Sequence, residues 1–125
     1  YHTPGLWANT CCTHPYWNET DIDCANRRVF EELHLTGLEL KNRGKIEYRA
    51  DVGQGLIEHE IVEIFTATCS TPPKVTPNPE EVMEIKWLHQ IELTNKVETN
   101  PDEFTPWLRI YMSKHFEQIS GTITA

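Results

Sequence analysis

Glu58-His59-Glu60 places two carboxylates two residues apart in a stretch of alternating character. Residues i and i+2 of a strand face the same side. Two carboxylates so placed repel unless a proton or a cation lies between them. The same face continues through Val62 and Ile64, which runs the pair into a core rather than along a plain solvated edge. Oxygen ligands joined by one imidazole suit Mg²⁺, Mn²⁺ or Zn²⁺, and His14 could complete that set. Cys12, two residues before His14, is a candidate acid or nucleophile. An unperturbed thiol has a pKa of about 8.5 and is mostly protonated at neutral pH. The blander readings are exposed acids on a strand edge and a buried structural cysteine. Cys11, Cys24 and Cys69 are read as structural.

These side chains need elements to hold them. Trp7–Thr13 reads as a short strand, which would turn Cys12 and His14 to one side. Pro15–Asn18 is a turn, and Thr20 or Asp21 is the expected N-cap of a helix ending near Leu35–Gly37. Ile22, Val29 and Leu33 form its apolar stripe, with Ala25 and Asn26 filling the gap. Arg27–Glu31 and Arg28–Glu32 are each four apart and lie largely off that stripe. Leu38–Arg43 is ambiguous, and Asn42-Arg43-Gly44 is a turn signal. Lys45–Asp51 alternates as a strand, Val52–Gly55 reads as a hairpin loop, and Leu56–Cys69 is the longest strand signal. Ser70–Pro79, rich in proline, is a loop. Val82–Trp87 alternates again, with Met83, Ile85 and Trp87 on one side. Ile91–Val97 is a short helix and Thr99–Phe104 a loop. The last helix opens at Thr105-Pro106, with Leu108, Tyr111, Met112 and Phe116 as its core stripe. The order of elements implies an α+β or α/β fold, a mixed sheet flanked by helices.

A chain of 125 residues is one domain by size. The formal net charge of -8 argues against a general nucleic-acid binder and would suit a site for divalent cations. Apolar runs fall short of the ~18 residues that would span a membrane. There is no signal-peptide pattern, and the chain begins at Tyr1 without Met, so an N-terminal piece is expected to be missing. The four cysteines form no CxxC pair and do not make a disulfide scaffold, which favours a reducing compartment. Asn18-Glu19-Thr20 matches the glycosylation sequon and is read as chance.

The helix carries a further pattern. Glu19, Arg27, Val29, Glu31, Glu32 and Leu35 match the spacing of the Nudix box, G-x5-E-x7-R-E-U-x-E-E-x-G-U, where U is aliphatic. Thr13 and His34 stand at its two glycines, and Arg28 at the first glutamate of its central group. In Nudix hydrolases those glutamates hold the metals that activate water on a diphosphate. Arg28 removes a ligand and adds a cation able to hold diphosphate oxygens. The pattern keeps diphosphate binding and makes hydrolysis doubtful.

Asn9-Thr10-Cys11-Cys12-Thr13-His14-Pro15, Tyr48-Arg49-Ala50, Glu58-His59-Glu60-Ile61, Asn78-Pro79-Glu80-Glu81-Val82 and Thr105-Pro106-Trp107 occur in that order. Together they closely resemble the type I isopentenyl diphosphate isomerases, a Nudix-fold family, over nearly the whole chain. The resemblance implies a single Nudix-like isomerase domain over residues 1–125, N-terminally incomplete relative to the family. It implies Cys12 as the active-site cysteine, Glu60 as the carboxylate across from it and Tyr48 as the tyrosine assisting proton transfer. His14, Glu58 and Glu60 match ligands of a divalent metal site (Mn²⁺, Mg²⁺ or Zn²⁺). Glu32 matches a carboxylate tied to the Mg²⁺ that accompanies the diphosphate, Arg28 a diphosphate contact, and Trp107 the tryptophan beside the hydrocarbon. The expected activity is interconversion of isopentenyl and dimethylallyl diphosphate through a tertiary carbocation, in the cytoplasm, on a small allylic or homoallylic diphosphate. No nucleic-acid or membrane partner is expected, and the oligomeric state, monomer included, stays open. A Nudix hydrolase of a diphosphate, or an inactive truncated fragment binding metal or diphosphate, are the alternatives.

Overall fold

A computed structural model describes residues 5–120. Tyr1–Trp7, whose Pro4-Gly5 implies an opening loop, lies outside the described residues over its first four positions. Helix α1 runs Asp21–Leu33, strands β1 and β2 run Lys41–Gly53 and Leu56–Thr66, and helices α2, α3 and α4 run Gln90–Thr99, Pro106–Lys114 and Phe116–Ser120. A single 3₁₀ turn, Pro101–Glu103, joins α2 to α3.

β1 and β2 form an antiparallel ribbon rather than the mixed sheet expected. Tyr48 pairs with Glu60 and Ala50 with Glu58. Gln54 and Gly55 make the hairpin bend, both with positive φ. β1 starts four residues earlier than its alternation suggested, at Lys41. The Asn42-Arg43-Gly44 turn signal marks a β-bulge inside the strand, not a turn before it. Asn42 Oδ1 accepts the Gly44 N–H at 2.7 Å, and Gly44 takes φ 95°, a conformation that glycine adopts cheaply. β2 stops at Thr66, three residues short of Cys69, which is exposed.

The inner face of the ribbon carries Ile46, Tyr48 and Ala50, which pack with Tyr111 of α3; Val62 and Ile64 close against them. Leu108 and Met112, on another face of α3, pack with Val97 and Phe104. Residues three and four apart share a helix face, so α3 serves two cores at once. Thr105, 1 % exposed, caps α3 by accepting the Leu108 N–H on Oγ1 at 3.3 Å, and Pro106 fills the first turn as expected. α3 ends at Lys114, capped by His115, so Phe116 opens α4 instead of extending the stripe.

Other expectations change. Trp7–Thr13 is not a strand: a parallel bridge between Trp7 and Phe104 is its regular pairing, and the rest is coil with a bend at Thr10. Val82–Trp87 is also irregular, with Met83 and Trp87 largely exposed, because no neighbouring strand covers that alternation among the described residues. In α1, Val29 and Leu33 are buried with Cys24, while Ile22 is 41 % exposed. The helix ends earlier than expected, at Leu33, because His34 adopts a left-handed cap with φ 55°.

Candidate active site

The site gathers around the inner face of the hairpin. Glu58 and Glu60 are half-buried, as their register beside Val62 and Ile64 dictates. His14 Nε2 approaches Glu60 Oε1 at 3.1 Å across 46 residues of sequence. Tyr48 lies directly opposite Glu60, yet its hydroxyl donates a short hydrogen bond to Glu58 Oε1. Burial pushes the Tyr48 phenol well above its ordinary range, with the Glu58 hydrogen bond adding to it. The phenol is therefore neutral at physiological pH and keeps a proton to share.

The coil before α1 supplies the thiols. It is coil with a bend at Thr10, and no ladder holds it. Cys11 faces Glu32 of α1, whereas Cys12 lies near Glu58, Tyr111 and Trp107. The Cys12 thiol lies 3.2 Å from Asn9 Oδ1. Cys12 is exposed as a residue, but its sulfur is crowded on the protein side, and this desolvation pushes the thiol up to about 11. The Trp107 indole N–H opposes that shift by favouring the thiolate. Trp107 Nε1 is buried and makes no full hydrogen bond, so its N–H faces the thiol side of the site without a committed acceptor.

Arg28 stands among carboxylates. Its guanidinium donates to Glu31 at 2.7 Å, to Glu32 at 3.0 Å and to Glu81 at 2.9 Å. Glu81 arrives from the loop after β2, where the Asn78 N–H donates to the Glu32 carbonyl at 2.8 Å and the Thr76 N–H to the Leu33 carbonyl at 3.1 Å. That loop satisfies the open carbonyl end of α1 and delivers its own acid to the box helix. Burial raises the Glu32 carboxyl, and Arg28 partly offsets it. The neighbouring Arg27 instead forks onto Glu19 at 2.8 and 3.0 Å and lies 3.8 Å over the Tyr16 ring. The hydrogen bonds from Arg27 hold the Glu19 carboxyl down at about 2.

The residues expected from the sequence thus fall into two groups. Cys12, His14, Tyr48, Glu58, Glu60 and Trp107 converge. Arg28 and Glu32 form a separate ionic cluster on α1, reaching the first group through Cys11 and through the field of Glu32 at Cys12. His14, Glu58 and Glu60 have the donor chemistry of a divalent site. His14 and Glu60 are paired, Glu58 is taken by Tyr48, and no three metal-binding side chains close on one point among the described residues. The sequence did not single out Tyr111 or Glu81 as functional. Tyr111 was legible only as a core position, although it lies one turn beyond Trp107 on the same helix face. A cavity of about 420 Å³ lies elsewhere, lined in part by Trp87, Leu93, Leu108 and Met112, and takes in none of the catalytic candidates.

The NUDIX domain family profile matches residues 1–108. Isopentenyl-diphosphate Delta-isomerases are similar over almost the entire chain. That of Dinoroseobacter shibae is 59 % identical over 98 % of this chain and 70 % of its own length. One from Cereibacter sphaeroides is 55 % identical with the same coverage, and that of Rhodobacter capsulatus 51 % over 100 % of this chain and 71 % of its own. The chain belongs to the Nudix family, among its isopentenyl-diphosphate Delta-isomerases.

Proposed function

We propose that the chain interconverts isopentenyl and dimethylallyl diphosphate by protonation and deprotonation. The observation that carries this reading is the gathering of two proton-bearing groups at one pair of carboxylates. Tyr48 is hydrogen-bonded to Glu58 beside the His14–Glu60 pair, and the Cys12 thiol lies within electrostatic reach of Glu58; in this reading the two act from opposite sides of the substrate. The terminal alkene carbon takes a proton, and the alkene electron pair becomes the new C–H bond. The adjacent carbon is left as a tertiary cation. Loss of a proton from the neighbouring methylene, to the group on the other side, forms the internal double bond. Which side gives and which takes depends on direction. An unactivated alkene is a weak base, so the site has to be dry and its acid held close.

Trp107 offers its indole face to the cation, worth about 0.5–2 kcal/mol when desolvated, and keeps water from trapping it. Divalent metal dependence is implied by the family. Glu32 would hold the ion that travels with the diphosphate, and His14, Glu58 and Glu60 a second one. When bound, such ions supply positive charge that neutralises the diphosphate and acidifies a carboxyl. For Arg28 to reach diphosphate oxygens it has to give up part of its present carboxylate set. Arg28 in place of a box glutamate also favours isomerisation over hydrolysis, because it substitutes an anion contact for a ligand of the water-activating metals.

The test is a paired assay of the wild type and Cys12→Ala with isopentenyl diphosphate and Mg²⁺, following dimethylallyl diphosphate and free phosphate together. Isomer formed by the wild type and reduced by about 10²–10⁴-fold in the variant is expected. Phosphate without isomer, unaffected by the substitution, would establish hydrolysis instead.

A further inference from the structure

Tyr48 has to be aimed, and its strand does not aim it alone. The ladder sets it opposite Glu60, but its hydroxyl reaches diagonally to Glu58, the partner of Ala50. Ala50 is small, so the space above it lets the Tyr48 ring lean that way. A phenol on a strand has more than one staggered well available, and something has to hold this one. On the side away from the hairpin stands Tyr111. Its ring meets the Tyr48 ring edge to face, with centroids 5.7 Å apart and planes at 86°. Tyr111 is only 4 % exposed and sits on α3 one turn past Trp107. Its phenol lies beside that of Tyr48 and within electrostatic reach of Cys12, Glu58 and Glu60. A side chain that only filled the core would gain nothing from a hydroxyl there, since burying one without polar company is costly.

We propose that Tyr111 is a positioning residue for the isomerisation: it backs Tyr48 with its ring and its phenol and keeps the Tyr48 hydroxyl on Glu58. The catalytic half of this inference rests on the isomerase reading; the positional half does not. An edge-to-face pair adds to simple burial, enough to favour one rotamer of its neighbour several-fold.

The experiment uses Tyr111→Phe and Tyr111→Leu in the same chain. Each is labelled with ¹³Cζ-tyrosine, the Tyr48 signal being assigned by its loss in Tyr48→Phe. Both variants are expected to move the Tyr48 resonance, the leucine more than the phenylalanine. With isopentenyl diphosphate, kcat should fall about tenfold or more in Tyr111→Leu with KM within twofold of wild type, and Phe should recover part of the loss. A Tyr48 resonance unmoved in both folded variants overturns the proposal. So does an unchanged kcat in variants of an active wild type, or a loss carried by KM alone. If Tyr111→Leu fails to fold, Tyr111→Phe decides by the same two readings. A wild type without isomerase activity would sink the isomerase reading, while the Tyr48 resonance would still decide whether Tyr111 positions it.

Discussion

Cys12 illustrates how one position acquires its chemistry from surroundings that the sequence only hints at. Its thiol is pushed up to about 11, first by desolvation, with the nearby Glu32 and Glu58 carboxylates adding to it. The thiolate is therefore scarce at neutral pH, which suits a proton carrier and not a nucleophile. Alkylation with iodoacetamide, followed residue by residue in the mass spectrum, should accordingly modify exposed Cys69 well ahead of Cys12 at pH 8, and Cys12 reactivity should still be climbing at pH 10. Equal rates at pH 8 would contradict the buried sulfur. At Arg28 the surroundings matter even more. Removing it as Arg28→Ala would leave Glu31, Glu32 and Glu81 facing one another without their shared cation. A loss of about 1–3 kcal/mol is expected in denaturant melts. Arg28→Lys should recover only part of it, since an ammonium cannot match the guanidinium's spread of donors.

At the scale of elements, α3 governs the site. It brings Trp107 and Tyr111 to the hairpin with one face and holds Leu108 and Met112 against α2 with another. The Thr105 cap and Pro106 fix where that helix starts, and so where the indole stands. Thr105→Ala should cost about 1 kcal/mol of stability and should also lower kcat by displacing Trp107; Thr105→Ser, which retains the capping oxygen, should recover both. This start was readable from Thr-Pro alone because capping is local chemistry. The Glu58/Glu60 face was readable for a similar reason, since period-two alternation is set by the strand itself. The stretch around Cys12 was harder. Cys12 and His14 do reach the same pair of carboxylates while Cys11 meets Glu32, yet coil and strand look alike in sequence without a visible partner. The Asn42-Arg43-Gly44 bulge read as a turn because both use glycine at positive φ. Met83, Ile85 and Trp87 alternate without becoming a strand, because pairing is a tertiary event that no local pattern guarantees. Tyr111 escaped notice because a core phenol and a positioning phenol have the same spacing.

The molecule as a whole carries a net charge of -8 and fastens α1 through ionic contacts at both ends. Near its start, Glu19 is forked onto Arg27, and the Tyr16 N–H donates to Glu19 Oε1 at 2.9 Å. Near its end, Arg28 ties Glu31 and Glu32 to Glu81 of the following loop. These contacts link the turn after Pro15, the box helix and the loop beyond β2, so their titration should register in the unfolding of the whole chain. The Glu19 carboxyl is depressed from 4.5 to about 2. A depressed carboxyl stabilises the fold fully above its unfolded pKa, and that contribution is lost as the pH falls through the folded value. The wild type should therefore lose part of its stability progressively between about pH 4.5 and 2. Glu32 behaves with the opposite sign. Burial raises its pKa, so its neutral form is favoured in the fold, and acid does not weaken it in the same way. Glu19→Gln separates the two. It should melt at a lower temperature than wild type at pH 7, where the Arg27 fork has lost its charged partner. The gap should then close as both proteins are taken from pH 5 toward pH 2.5. Melts recorded by circular dichroism across that range would test it, and a gap that stays constant with pH would show that Glu19 acts by shape and not by charge.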